Sequence, residues 1–412
     1  MKMPKRISSR NALLALVIAL AGGVFLIFSP LSLGFKQAWA ARTLPDYLVS
    51  RKDPVSGLSF TRITKMGAMG NGVACGKACS HRYSSAQAWN ADLSLLVIAN
   101  DCSGLCFLDG KTYLPLFSRM SGKNCEWLPR DPERMACIGD KDISLWSPRA
   151  DRWEKLYTST QYRDMQFGPG KGNPSDDGRM LAVRAERLDG KVVAFAYDLA
   201  RHFKYPDIEL SRLAGTNEFC SITPLGQRVI CFQLSAKNLE TYVFSVQGEL
   251  LQHWKEHHRP AHGDLTVDAD GHEIIVGISK SDPDKYMVIK RRLIDGVVTK
   301  LMDYGEASHV SLRAISRKGW AIVTYEGDPL EIARHPSWAP YGRQIIALAL
   351  DGSGHARVIA ETNNIRGNYD SETHASASPD GSRIIWSSDW GDAKGPVYDF
   401  VTEVSWPQDG NM

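Results

Sequence analysis

From about residue 45 onward the chain is written in short apolar runs broken by Gly, Asp, Asn and Pro. The runs are brief and β-rich: Leu95-Leu-Val-Ile, Met135-Ala-Cys-Ile, Met180-Leu-Ala-Val, Val229-Ile-Cys-Phe, Ile274-Ile-Val, Trp320-Ala-Ile-Val and Ile384-Ile-Trp. Runs of this length between turn residues read as strands, and no long amphipathic helix interrupts them. Each is preceded by a turn: Asn90-Ala-Asp92, Arg130-Asp-Pro132, Asp176-Asp-Gly178, Pro224-Leu-Gly226, Asp270-Gly271, Arg317-Lys-Gly319 and Asp380-Gly381. A second series of turns lies between them, at Asp109-Gly110, Pro148-Arg-Ala, Leu199-Ala-Arg, Gln247-Gly248, Asp295-Gly296 and Asp351-Gly352. Asp-Gly and its relatives suit tight hairpins because they tolerate positive φ.

Seven turns of the first kind, mostly about 40–50 residues apart, with six of the second, describe a repeat of four strands. That is the pattern of propeller blades. The sequence therefore predicts an all-β chain forming a single seven-bladed β-propeller of four-stranded antiparallel blades. The last blade lacks its outer hairpin, so its strand around Val397–Val404 is expected to pair with an N-terminal strand around Leu58–Thr64. Such a ring, closed by N- and C-terminal strands, removes exposed sheet edges. The longest spacing between inner turns places an insertion near Glu326–Asn368, and an eighth blade fits if the insertion hides one.

Residues 1–40 form a separate segment. Lys2, Lys5, Arg6 and Arg10 precede a charge-free stretch from Asn11 to Gly34, and Ala38-Trp39-Ala40 suits cleavage before Ala41. The apolar run is also long enough to span a membrane. A secretory signal peptide and an uncleaved N-terminal anchor both fit, and both export residues 41–412, as a periplasmic or secreted propeller. The eight cysteines suit that compartment and fall into local pairs, Cys75/Cys79, Cys102/Cys106, Cys125/Cys137 and Cys220/Cys231. The first four also permit crosswise pairing. Their Cys-x3-Cys spacing also suits zinc, although an even cysteine count in short polar loops of an exported chain favours disulfides. A net charge of +3 and a pI near 8.3 are too mild to indicate nucleic acid, and they accommodate an anionic ligand.

In a propeller the strand before each inner turn lines the central channel. Aligned on that turn, Glu372 lies eight residues before Asp380 and His374 six before, and His262 and Asp264 hold the same offsets from Asp270. Residues two apart on a strand share a face, so each pair points one way. In the intervening repeat His309 stands at the strand mouth, with Ser311 and Arg313 on its face. His81 and Tyr83 precede the first inner turn. A lone histidine on such a strand is ordinarily a hydrogen-bonding residue. Three successive repeats offering His262, His309 and the Glu372/His374 pair predict one shared site at a channel rim. Imidazole and carboxylate without thiolate suit a divalent transition metal such as Mn, Zn, Ni or Fe. Lys171, in the Gly168-Pro-Gly-Lys-Gly172 loop, is a weaker ligand-binding candidate. That loop lacks the ending of a P-loop.

The strands near His262, His309 and Glu372–Gly381 resemble those of the oligogalacturonate lyase family, seven-bladed propellers similar to the periplasmic TolB-type propellers. The resemblance implies that His262 is a general base and that His309 and His374 are metal ligands. Glu372 stands where the family has the first histidine of a His-x-His pair, and Tyr369 where it has a glutamine. Glutamate still suits a divalent ion in a harder, more anionic site. The chemistry implied is β-elimination on uronate-containing sugars, with Arg313 a candidate clamp for the uronate carboxylate. An inter-blade ion pair is the alternative role for Arg313. The partner expected is an anionic oligosaccharide, with a membrane tether if residues 1–40 stay attached. The alternative to a lyase is a non-catalytic periplasmic propeller that binds a protein partner.

Overall fold

The computed structural model describes residues 42–406, apart from 168–171, 214, 235–238, 257–260, 304, 328–331, 333, 335–338 and 366–368. The signal or anchor segment and Lys171 lie outside the described residues. Among the described residues no helix is long and apolar enough to cross a membrane.

The chain is all-β, in antiparallel sheets that follow one another in sequence as the blades of a propeller do. Asn124–Trp127, Met135–Gly139, Asp142–Ser147 and Arg152–Thr158 make one four-stranded sheet. Tyr162–Gln166, Met180–Arg187, Val192–Asp198 and the short Phe203–Lys204 make the next, with Ile208–Glu209 added to its third strand. Three more span 216–256, 261–302 and 307–361 in the same up-and-down order. Ahead of them, Leu95–Ile98, Leu105–Asp109 and Pro115–Arg119 form a sheet whose inner edge is a single bridge from Trp89 to Leu96.

All seven inner turns read from the sequence close with a backbone hydrogen bond across three residues. The pairs are Leu93 to Asn90, Asp131 to Leu128, Gly178 to Ser175, Gly226 to Thr223, Gly271 to Asp268, Arg317 to Ala314 and Gly381 to Ser378. The expected end-to-end pairing is present. Ser59–Arg62 lies against Tyr398–Glu403, with Ser59 opposite Glu403 and Arg62 opposite Phe400. Two features were not legible. Ser50–Lys52 adds a fifth strand outside Ser59–Arg62, and Gly67–Gly70, Val73–Ser80 and Asn100–Cys102 form a small extra sheet. Of the range 326–368 expected to hold an insertion, Gln344–Ala349 and Ala356–Glu361 are the third and fourth strands of the sheet, and 326–343 lies between its second strand, Trp320–Tyr325, and its third.

The core is a series of layers between neighbouring sheets. Leu128, Ile138 and Leu145 pack with Tyr162, Leu181 and Phe195. Ile274 and Val276 pack with Val310, Val323 and Ile346. The last sheet also shares a layer with the first, where Ile385 and Val401 meet Leu96, Ile98 and Leu108. Burying side chains of this size contributes about 1.5–3 kcal/mol each relative to exposure. All four local cysteine pairs are disulfides. Cys125–Cys137 and Cys220–Cys231 each join directly opposed residues of one hairpin.

Candidate functional site

His262 is the second residue of the Ala261–Val267 strand and has a left-handed conformation, with φ of 51°. The ladder shifts register between Ala261 and Asp264, which marks a bulge. A second bulge falls between Ala307 and His309 in the next sheet. Bulges re-aim side chains at the ends of strands, and here both act on a histidine. Gly263 makes the first one feasible, because a Cβ there would meet the Val276 carbonyl oxygen at 2.5 Å. His374 also has a left-handed backbone, with φ of 45°, just before Ser376–Ala377. Such conformations are uncommon for residues other than glycine and persist where surrounding contacts hold them.

Those contacts are present. Thr373 N–H donates to Glu326 Oε1 at 2.9 Å and Ala375 N–H to Thr324 Oγ1 at 3.2 Å, which pins the 372–375 segment to the neighbouring sheet. Asn364 Nδ2 donates to the Ser371 carbonyl at 2.6 Å and to Thr373 Oγ1 at 3.0 Å. Beneath His374, its carbonyl lies 2.8 Å from His81 Nε2, while His81 Nδ1 lies 2.9 Å from Asp399 Oδ1. Ser387 Oγ also donates to Asp399, at 2.7 Å. Both ring nitrogens of His81 face acceptors, so the imidazolium satisfies both. Burial pushes the His81 imidazole down, but the Asp399 charge, the hydrogen bond to it and the His374 carbonyl together raise it above the ordinary histidine value.

The predicted convergence of three repeats is visible in the geometry. Nε2 of His309 lies 3.4 Å from Glu372 Oε2, and Nε2 of His374 lies 3.2 Å from the same oxygen. One ligand atom from each of the three residues falls within 4.8 Å of the others, and all three side chains are buried. The His309 and His374 rings stand edge to face with centroids 4.3 Å apart. His309 Nδ1 is 3.0 Å from Ser308 Oγ, which itself donates to the Thr324 carbonyl at 3.4 Å. With that hydroxyl proton engaged, the tautomer protonated on Nδ1 would donate to Ser308 and leave Nε2 as the nitrogen able to ligate an ion. Fixing a tautomer through the other ring nitrogen is a familiar arrangement around metal-binding histidines.

His262 stands beside this set, exposed, with its ring centroid 4.7 Å from that of His309. Its Nδ1 is 2.6 Å from the Tyr83 hydroxyl. The Tyr83 ring lies 5.2 Å from His309 and 4.8 Å from His374, so it touches all three imidazoles. Tyr83 belongs to a segment laced to several sheets. Arg82 forks onto Glu126, with contacts of 2.7 and 2.9 Å. Ser85 O accepts from Asn173, Ala86 O from Ser376 Oγ, and Gln87 donates to the Arg313 carbonyl. The sequence placed Tyr83 near a turn. Its position among the histidines, and the roles of Asp399, Ser387 and Ser308, carry no local sequence signal.

Arg313 takes its alternative role. Its guanidinium forks onto Asp264 through Nε and Nη2, both at 2.8 Å, and donates again to the Leu265 carbonyl at 3.0 Å. Asp264 also accepts from Leu312 N–H at 2.7 Å. Both residues are buried. Tyr369 is exposed, with its ring 6.0 Å from His374.

No protein-family model matches the chain, and no curated protein matches its sequence. Similar solved structures include dipeptidyl peptidase 4 of Porphyromonas gingivalis, at 12% identity and TM-score 0.44 over 89% of this chain and 59% of that one. This chain thus spans about three-fifths of the peptidase's length. TolB from Acinetobacter baumannii is similar at 11% identity and TM-score 0.39, over 81% of this chain and 79% of TolB. A chain of a mitotic checkpoint complex is similar at 8% identity and TM-score 0.47, over 83% of this chain and 98% of that one.

Proposed function

We propose that residues 41–412 form an exported seven-bladed propeller whose channel mouth holds one divalent transition metal and acts on uronate-containing oligosaccharides by β-elimination. The ring is supported by the shared core layer between the last sheet and the first, and export by four disulfides. The observation that carries the site is the approach of two imidazole nitrogens to one carboxylate oxygen at 3.4 and 3.2 Å in a buried setting. Metal–ligand bonds of ~2.0–2.2 Å at tetrahedral angles put neighbouring ligand atoms about 3.3–3.5 Å apart. His309, Glu372 and His374 therefore fit as three protein ligands, a number that leaves a position for substrate.

The metal, when bound, would neutralise the uronate carboxylate and make the adjacent C–H more acidic. His262, exposed at the mouth and held by Tyr83, takes that proton. The C–O bond to the leaving sugar breaks, its electrons depart with the glycosidic oxygen, and a carbon–carbon double bond remains. Lys171 is retained as a candidate substrate contact. The commitment of Arg313 to Asp264 favours a second reading, a non-catalytic periplasmic scaffold that binds a protein or ligand at the same mouth.

Elemental analysis of residues 41–412, purified without a histidine tag, separates the two. About one equivalent of a transition metal, lost in His309→Ala, is the expected result. It would be followed by an ultraviolet assay for unsaturated uronate products. No metal after incubation with Mn²⁺, Ni²⁺ and Zn²⁺ leaves the scaffold.

A further inference from the structure

The small sheet outside the first blade carries chemistry that the channel site does not use. Cys75 lies on Val73–Ser80 and Cys102 on Asn100–Cys102, and the two are directly opposed in the antiparallel register. The sulfurs of Cys75, Cys79 and Cys102 all lie within 4.8 Å of one another. Yet the disulfides run along the chain, Cys75 to Cys79 and Cys102 to Cys106. Elsewhere in the molecule the bridges do the opposite. Cys125–Cys137 and Cys220–Cys231 each join register-opposed residues, with Cα atoms 4.0 and 4.1 Å apart.

Several contacts hold the two strands together. Ala78 N–H donates to Asp101 Oδ2 at 2.8 Å, Ala74 N–H to Ser103 Oγ at 3.1 Å, and Ser103 N–H to the Ala74 carbonyl at 3.0 Å. Gly76 permits the approach, since a Cβ there would fall 2.2 Å from an Asp101 carboxylate oxygen. Cys79 and Cys106 are buried in the same apolar cluster, and Cys102 packs against it, less buried than the others.

We propose that Cys75, Cys79, Cys102 and Cys106 form one thiol–disulfide exchange centre whose second pairing is Cys75–Cys102 with Cys79–Cys106. The reactant is a small thiol. Its thiolate attacks Sγ of Cys102, the least buried residue of the four, forming a mixed disulfide and releasing Cys106 as thiolate. Cys106 attacks Cys79, the Cys79–Cys106 bond forms, and Cys75 leaves as thiolate. Cys75 then attacks Cys102, the cross-strand bond forms, and the small thiol departs. Two disulfides enter and two leave, so the exchange needs no oxidant. Val73–Ser80 runs directly into His81 and Tyr83, so the centre lies on the segment that reaches the channel site.

The test is Cys79→Ser, which leaves one thiol among three cysteines. Alkylation followed by cleavage after Lys77 and Leu105 puts the cysteines on separate peptides for mass spectrometry. The expected product has Cys75 joined to Cys102 and the label on Cys106. A label on Cys75 with Cys102–Cys106 intact overturns the proposal. Should that variant not fold, wild-type protein equilibrated with reduced and oxidised glutathione, acid-quenched and alkylated, decides it. Peptides joining Cys75 to Cys102 support the exchange centre, and recovery of the two local pairs alone overturns it.

Discussion

Two neighbouring polar clusters, one around His309 and Glu372 at the mouth of the proposed channel and one at Asp264 and Arg313 as its floor, serve opposite ends. At the floor, Asp264 and Arg313 match donor to acceptor, with two parallel contacts of 2.8 Å and backbone partners for the remainder. At the mouth, His262 two residues before Asp264 and His309 four before Arg313 crowd together with His374, Glu372 and Tyr83. Two of those histidines carry left-handed backbone. A buried ion pair with its hydrogen bonds complete is a structural feature, weakly stabilising as a pair but costly to break. A cluster of metal-compatible groups on bulged and left-handed backbone is what a binding site looks like. Composition alone does not distinguish the two, since both are clusters of largely buried polar groups. The backbone conformation and the chemistry of the clustered groups do.

The largest expected effect falls at the floor. Asp264→Ala leaves the Arg313 charge buried and should lower unfolding free energy by about 3–5 kcal/mol, measured by chemical denaturation. An effect below ~1 kcal/mol would mean that the ion pair is not what holds these strands. Gly263→Ala tests the junction between floor and mouth. The new methyl meets the Val276 carbonyl, and a cost of about 1–3 kcal/mol is expected from overpacking, together with reduced metal content as His262 and its neighbours shift.

Next in size is a pH effect centred on His81. Its folded pKa is raised, so it contributes stability that is fully present below the unfolded histidine value of ~6.5 and is lost as pH rises through the folded value. Denaturation midpoints should therefore fall from mildly acid to alkaline pH, and His81→Gln should flatten that dependence. An unchanged slope in the variant would show that His81 is neutral. Smallest in stability is Glu372→Gln, which removes a buried charge while keeping its shape. Its denaturation midpoint should move far less than that of Asp264→Ala, while metal content falls from about one equivalent to none. A large loss of stability with metal retained would reverse the contrast between mouth and floor.

Much of this was legible along the chain. The seven inner turns of the propeller repeat occur where Asp-Gly, Pro-x-Gly and their relatives predict them, because tight turns need residues that tolerate their dihedrals, a local requirement. The meeting of His309, Glu372 and His374 was also legible, since it follows from strand offsets measured against those turns. Period-two alternation was less reliable near the mouth. It linked His262 with Asp264, but a bulge between Ala261 and Asp264 interrupts it, and it linked His309 with Arg313, which lies beyond the end of the Ala307–Ser311 strand. A bulge adds one residue to one strand, and its partner strand is distant in sequence.

The chain by itself determined the strand rhythm and the turns, and it set the cysteines in local neighbourhoods without choosing the pairing of the first four. Each depends on dihedral preference or on spacing within a few residues. Tertiary structure alone decided that Arg313 belongs to Asp264, that His81 bonds both Asp399 and His374, and that Tyr83 stands among three histidines. Those contacts join residues 49, 318, 293 and 179 positions apart. Which partner a buried polar group finds depends on the geometry of all neighbouring sheets at once, and no local pattern encodes it.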